Sequence, residues 1–403
     1  MKSKIGFLTV LYAHVLLIPW YDALPVFIYR YGSFLLSVII FINLYNVRKY
    51  VFSAQNKRLI ILLLLLTIST IYTSINVNNI NVNSIVLHGT NKLQYDNNGV
   101  AFGVTTALKV LLSFIFVQYI IARKYVDIFI KYLYYVLFFY IIISDMEIVL
   151  FGIQESGSGY FLGNKFTVSY LHLFFATIYK VHQMIRNSNH NYYVPLLFLA
   201  LIVAIALHCS TSVVGVLLLF VFHYFKNIRD FIVYNKLSFI ILITSSILFA
   251  FFYPYILQVP FIQYIIVNIL GEDLTLTGRT YIYDAVLNVI ELNPLWGMGI
   301  GNAYHLLSYL YGFPNAQNGF INLFLEQGII GCSITMIITI YLITMQSKKK
   351  CSGITIPFIC LTFTMIFLAF VEITIDLSFV FLLTLLLITD SDIKESIGRT
   401  NIS

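Results

Sequence analysis

The sequence predicts an all-α polytopic membrane protein with about twelve transmembrane helices and one large extracytoplasmic loop between spans 9 and 10. Three observations predict it. Hydrophobic residues make up 60% of the 403 positions and charged residues only 10%, with a mean hydropathy of +0.88, outside the range of soluble globular domains. Apolar runs such as "LIILLLLLTISTIYTSI" at 59–75 and "ITMIITIYLITM" at 334–345 are long enough, with their flanks, to cross a hydrocarbon core of roughly 30 Å as helices. Lysine and arginine collect in alternate connections between these runs, the pattern that short cytoplasmic loops impose. A β-barrel would read as short strands of alternating polarity instead.

The expected spans, in order, are 5–20, 26–45, 59–75, 101–121, 128–150, 166–184, 194–209, 211–225, 237–254, 320–345, 354–371 and 374–389. The N-terminal "MKSKIGFLTVLYAHVLLIPW" has cations and then an apolar run, with no small-x-small cleavage site before the next span, and reads as an uncleaved first span. The segment 194–225 admits one long helix or two short ones broken near "HCSTS", and the cations decide between them. With two short helices and an inside start, 19 of the 24 Lys and Arg fall in cytoplasmic stretches. One long helix would put the "KNIRDFIVYNK" and "SKKK" loops outside, so the hairpin is preferred and both termini face the cytoplasm. The domain reading is spans 1–9 over 1–254, the extracytoplasmic loop over 255–319, and spans 10–12 with a cytoplasmic tail over 320–403.

The net charge of +7 would suggest nucleic acid in a soluble protein; here it reports topology, and no nucleic-acid partner is expected. The four cysteines show neither CxxC spacing nor a His/Cys cluster and read as small hydrophobes. Outside, no Asp/Glu pair has metal-ligand spacing, so neither metal nor cofactor is expected. The 30 Tyr and 35 Phe read mainly as interface belts and packing, with Tyr281, Tyr283, Tyr304 and Tyr309 as candidate sugar-stacking surfaces.

Five cations fall outside the cytoplasmic count: Arg30, Lys92, Lys109, Lys165 and Arg279. A cation in or beside a span is costly and marks a functional candidate, with snorkelling to the headgroups as the plainer alternative. The outer segment 76–100 carries eight asparagines in 76–98 and reads as a polar loop, and 151–165 is glycine-rich. The third segment, 255–319, is the largest. There "TYIYDAVLNVIEL" at 280–292 places Ile282, Ala285, Val286, Val289 and Ile290 on one side of an amphipathic helix. Thr277 offers an N-cap, with Gly278 or Arg279 as alternative starts. Pro294 ends the helix, and Gly297, Gly299 and Gly301 make "NPLWGMGIGN" a turn. The glycines follow a helix rather than a strand, so they are no dinucleotide fingerprint. Arg279 reads either as an anion-binding group beside a helix start or as a surface arginine paired with Glu272 or Asp273.

"TGRTYIYDAVLNVIELNPLWGMGIGN" followed by "NAQNGFINLFLEQGIIG" resembles the signature region of the bacterial O-antigen ligase and Wzy-type polysaccharide polymerase superfamily, over about 55 residues from Gly278 to Gly331. "GYFLGNKFTVSYLHLFF" resembles that family's Gly-Asn element opening span 6, and "CSTSVVGVLLLF" its Ser-Arg element between two short spans. Two departures stand out: Thr211 replaces the arginine after serine, and Gln317 replaces the histidine of the ligases' His-Asn pair. A glutamine side chain takes up no proton at neutral pH, which favours a polymerase over a ligase.

The resemblance implies transfer of a glycan from undecaprenyl pyrophosphate to another lipid-linked repeat unit, building O-antigen or capsule polysaccharide at the outer face of the bacterial inner or plasma membrane. It implies a metal-independent, GT-C-like glycosyltransferase. The implied partners are the undecaprenyl-pyrophosphate-linked oligosaccharide, membrane lipids, a chain-length regulator and a flippase. The expected catalytic residues are Arg279, Glu326 and His305, with Arg279 at the pyrophosphate and the base drawn from His305, Glu291, Glu326, Glu372 and Asp376. Arg30, Lys109, Lys165, Gln317 and Asn318 are the expected substrate-binding residues. The alternatives are an O-antigen ligase acting on lipid A-core and a lipid-linked oligosaccharide flippase. A transporter is expected to show related halves with polar residues at the membrane midplane, and no corresponding halves are seen.

Overall fold

Apolar sequence interrupted by polar connections folds, in the computed structural model, into a bundle of α-helices. The structure describes residues 2–18, 24–44, 57–76, 98–152, 159–187, 191–264, 267–268, 279–313, 315–348 and 353–400. No strand occurs among them beyond one isolated bridge between Tyr160 and Gly163. The first nine helices are α1 (Lys2–Leu16), α2 (Val26–Ile42), α3 (Lys57–Asn76), α4 (Asn98–Ala122), α5 (Val126–Phe151), α6 (Lys165–Arg186), α7 (Tyr193–Ala206), α8 (Ser210–Tyr224) and α9 (Lys226–Tyr234). Then follow α10 (Lys236–Ile256), α11 (Pro260–Tyr264), α12 (Arg279–Ile290), α13 (Asn302–Tyr311), α14 (Gly319–Lys348), α15 (Ile356–Leu368), α16 (Leu377–Leu385) and α17 (Asp390–Thr400).

Among the described residues four stretches, Lys57–Asn76, Val100–Ala122, Val126–Phe151 and Gly319–Gln346, are each long and apolar enough to cross a membrane. A fifth is obtained if α8 and α9, bent by 101° at Phe225, count as one span. The chain is therefore a multi-pass membrane protein. Other apolar stretches, such as Tyr193–Ala206, Lys236–Phe249 and Ile356–Leu368, are shorter, and α6 is a special case: it runs for 22 residues but carries His172, Lys180, His182 and Gln183. It packs against α5, α7, α8 and α15, and its middle, Val168 to Ile178, is buried. A helix enclosed by protein does not need to be apolar all round, because its polar groups meet partners instead of lipid. His172, for example, places Nε2 at 3.0 Å from Asp145 Oδ1 and Nδ1 at 2.9 Å from Val168 O.

The outward faces of the bundle keep their apolar residues exposed, Phe139, Ile68 and Ile202 among them. In a soluble protein this would be an aggregation surface; around a membrane bundle it is the lipid face. The interior is one continuous hydrophobic cluster drawn from α1 to α10 and α14 to α17. A second, smaller cluster sits apart from it. It is built from Ile282, Tyr283, Val286, Val289 and Ile290 of α12, with Met298, Leu306, Leu307, Tyr253, Ile321 and Leu325. The helical spacing in "TYIYDAVLNVIEL" thus buries one side of α12 against α10 and α14.

Asn318 fixes the start of α14. Its Oδ1 accepts from the backbone N–H of Phe320 (3.1 Å) and Ile321 (3.0 Å). Its Nδ2 donates to Ser246 O (3.2 Å) and Phe370 O (3.0 Å). One fully buried amide therefore caps a helix and ties it to α10 and to the turn after α15.

Candidate active site

The sequence expects an uninterrupted span over 320–345, whereas α14 is broken inside it. Gly328 has φ +63° and ψ −173°, well away from helical values. Such a break orphans backbone groups that lipid does not satisfy. The glycine-rich turn supplies the missing partners. Met298 N–H donates to Leu325 O (2.8 Å) and Gly299 N–H to Glu326 O (2.8 Å), while Pro294 O accepts from Ile329 N–H (2.9 Å) and Leu295 O from Ile330 N–H (3.2 Å). The two segments cross so closely that a Cβ on Gly328 would lie 2.3 Å from Leu295 O, and one on Gly297 2.4 Å from Gly328 N. Glycine is required at both places by space and by positive φ, +76° at Gly297.

Beside this crossing a cavity of about 470 Å³ runs into the bundle. Its polar part is lined by Asn164, Asn315, Asn322, Glu326, Gln327, Glu372 and Asp376, and its shaft by Leu63, Leu66, Val110, Phe114, Phe174, Ile338 and Leu383. Local folding explains how the polar groups come to be there. Asn164 caps α6, accepting from Thr167 N–H at 3.0 Å. Asp376 caps α16, its Oδ1 accepting from Ser378 N–H (2.8 Å), Phe379 N–H (3.2 Å) and Ser378 Oγ–H (2.6 Å). Glu326 and Gln327 occupy the last positions before the break. The Glu326 carboxylate lies by the backbone N–H of Gly301 and the side chain of Asn322. Tyr170 also lines the cavity, and its hydroxyl shares a 3.1 Å hydrogen bond with Thr211 Oγ1 at the start of α8. The position that departs from the Ser-Arg element thus reaches the cavity through Tyr170.

The structure brings Glu326, Glu372 and Asp376 to one cavity and leaves other expected site residues away from it. Lys109 is buried on the α2 side of α4, with Nζ donating to Ser33 Oγ at 3.3 Å; its neighbours Thr106, Ala107 and Val110 line the cavity. Lys165 donates Nζ–H to His208 O at 3.2 Å and stands 5.5 Å from the Phe166 ring, so it tethers the connection between α7 and α8. Gln317 has φ +45°, its N–H donates to Asn315 Oδ1 at 3.0 Å, and its side-chain Oε1 is buried without a hydrogen-bond partner among the described residues. Asn318 spends its amide on the contacts described above. Arg30, Arg279 and His305 lie on α2, α12 and α13, and their side chains fall outside the described residues, as do Lys92, Thr277, Glu272 and Asp273 entirely. Among the described residues no group of three His, Cys, Asp or Glu side chains has the geometry to hold a metal ion.

Of the candidate aromatic surfaces, Tyr283 is buried, its hydroxyl directed to Gln317 O and Phe370 O at 3.3 and 3.4 Å. Tyr281 is exposed and meets Tyr311 and Phe313 edge-on. Burial, reinforced by Tyr281, pushes the Tyr311 phenol above its ordinary pKa. Asn164, Asn322, Gln327 and Tyr170 were not among the site residues expected from sequence. Amides and a phenol in apolar helices carry no periodic signal; only the resemblances at "GYFLGNKF" and "FLEQGIIG" fell on or beside them.

The family model described as Wzy_C, O-antigen ligase, matches residues 195–336. That interval holds most of the α7–α8 pair, helices α12 and α13, and the broken part of α14. No curated protein and no solved structure matches the chain.

Proposed function

We propose that this chain, whose residues 195–336 match the O-antigen ligase family model, is a polysaccharide polymerase. In this reading it moves a growing glycan from undecaprenyl pyrophosphate to the terminal sugar of another lipid-linked repeat unit. The observation that carries the proposal is the cavity, whose amides and carboxylates adjoin an apolar shaft. An amphipathic substrate with a sugar head and a long hydrocarbon chain has that division of polarity. Segment 255–319 is read as the outer layer over two membrane portions, 1–254 and 320–403, with twelve spans, both termini cytoplasmic and the site on the outer face of the inner or plasma membrane.

The reaction breaks the bond between the anomeric carbon and the pyrophosphate oxygen and forms a bond from that carbon to an acceptor hydroxyl oxygen. Undecaprenyl pyrophosphate leaves with the electron pair, and the hydroxyl proton passes to a base. The leaving group is already activated, so the protein's share is alignment, proton removal and stabilisation of the departing charge. Glu326 is the proposed base, being the wall carboxylate placed at a helix break beside N–H and amide donors. Arg279, at the head of α12, is the proposed pyrophosphate contact, with Arg30 and His305 in support; Lys109, Lys165, Gln317 and Asn318 hold the helices around the site. Gln317 in place of histidine is what favours the polymerase over the ligase.

A deletion strain complemented with plasmid copies tests this. Loss of the gene should leave single repeat units on the acceptor, and the wild-type copy should restore the ladder on a glycan gel. Glu326→Gln should lower polymer yield by about 100-fold or more at normal membrane abundance. Polymer accumulating on undecaprenyl pyrophosphate would mark a ligase, lipid-linked repeats held on the inner face would mark a flippase, and a normal ladder from Glu326→Gln would remove Glu326 from the chemistry.

A further inference from the structure

The turn at 294–301 does more than fill a gap in α14, for it holds Glu326 at two points. Gly299 N–H bonds to the Glu326 carbonyl at 2.8 Å, and Gly301 presents its N–H to the Glu326 carboxylate. The turn is itself held from α3. Thr73, 2% exposed, places Oγ1 2.8 Å from Trp296 O, and the Tyr72 ring centre lies 4.3 Å from that of Trp296. Beneath the turn, the Gly297–Gly328 crossing leaves no room for a side chain on either strand.

We propose that Thr73, Gly297 and Gly328 are positioning residues that lock Glu326 into the cavity wall, so that α3 sets the geometry of a carboxylate more than 250 residues further along the chain. The proposal rests on the reading of this cavity as the transfer site. Its physical basis is that Glu326 lies in the last helical turn before the break, where Ile330 N–H bonds to Leu295 O and the Glu326 carbonyl is left to Gly299 N–H. With the helical partner gone, the N–H groups of Gly299 and Gly301 hold the Glu326 carbonyl and carboxylate and fix the direction of the side chain. Thr73 has a single hydroxyl proton, shared between Trp296 O and Ser69 O, which lies at 2.9 Å. Replacing it by the isosteric valine removes the tether without changing the volume.

Purified protein supplied with a lipid-linked oligosaccharide is the assay. Thr73→Val should reduce turnover by about 10- to 100-fold with KM almost unchanged, and Thr73→Ser should restore it. Thr73→Val combined with Glu326→Gln should be no slower than Glu326→Gln alone, because the tether acts through that carboxylate. Additive losses, or full turnover in Thr73→Val, would overturn the proposal. Gly328→Ala should also lose turnover; if it does not accumulate, the Thr73 pair decides. Hydrogen exchange judges the lock without any glycan transfer. The Gly299 and Gly301 amides should lose protection by about 10-fold or more in Thr73→Val, and unchanged protection would overturn it. Wild-type protein that transfers no glycan, yet shows that loss of protection in the variant, would remove the proposed reaction and leave the lock standing.

Discussion

Two of the breaks in apolar helix within the matched region, at 207–209 and at Gly328, are mended in different ways. Between α7 and α8 the chain turns over Leu207, His208 and Cys209, and the repairs are local: Leu207 N–H to Val203 O, His208 N–H to Ile205 O, Cys209 N–H to Ala204 O and Val213 N–H to Cys209 O, all within 3.1 Å. One outside contact, Lys165 Nζ to His208 O, pins the corner. At Gly328 the repairs come from residues about thirty positions earlier, through four backbone hydrogen bonds, and a side chain of α3 holds that turn in place. A locally mended break is a hinge in one hairpin. A break mended at a distance joins three parts of the molecule, and a carboxylate placed there takes its orientation from all three.

Four substitutions would break or sharpen that contrast. The largest effect is expected from Gly328→Val: its side chain would run into the Leu295 backbone at a positive φ, so the protein should fail to accumulate in membranes, measured by quantitative immunoblot. Asn318→Ala should follow. It removes a helix cap and leaves the Ser246 and Phe370 carbonyls without their donor, costing about 2–4 kcal/mol, read as a lower melting temperature in detergent. Lys165→Met should cost only about 1 kcal/mol, because its bond to His208 O is partly solvated and the corner keeps its local bonds. The smallest effect is expected at His208, where φ is already +50°: His208→Gly should leave the melting temperature unchanged or slightly higher, since glycine adopts that conformation without strain. If His208→Gly proved as damaging as Gly328→Val, the distinction between the two breaks would fail.

The same distinction explains what could be read beforehand. The apolar face of α12 was legible because Ile282, Ala285, Val286, Val289 and Ile290 recur at helical spacing, and all five are buried. The turn after it was legible from Pro294 and three glycines, since turn geometry is a property of neighbouring residues. Glu326 was marked only by resemblance, and its rank among the acidic candidates was undecided. Nothing along the chain says that Glu372 and Asp376 share its cavity, or that Lys109 faces α2 instead. Asn318 read as a ligand-facing residue because it follows Gln317 in a family motif; its amide is used instead to join three segments.

By itself, then, the sequence determined the class of the molecule: a helical membrane protein with an amphipathic helix and a glycine-rich turn within 280–301. Those properties follow from hydrophobicity, charge and backbone freedom, which act over a few residues to a few turns of helix. Only the tertiary structure decided that the turn threads into a broken helix, that α3 holds the turn, and that three carboxylates line one cavity. The physical reason is hydrogen-bond satisfaction in a low-dielectric interior. A broken membrane helix must find its missing partners somewhere, and where it finds them depends on which distant segments the packing brings alongside.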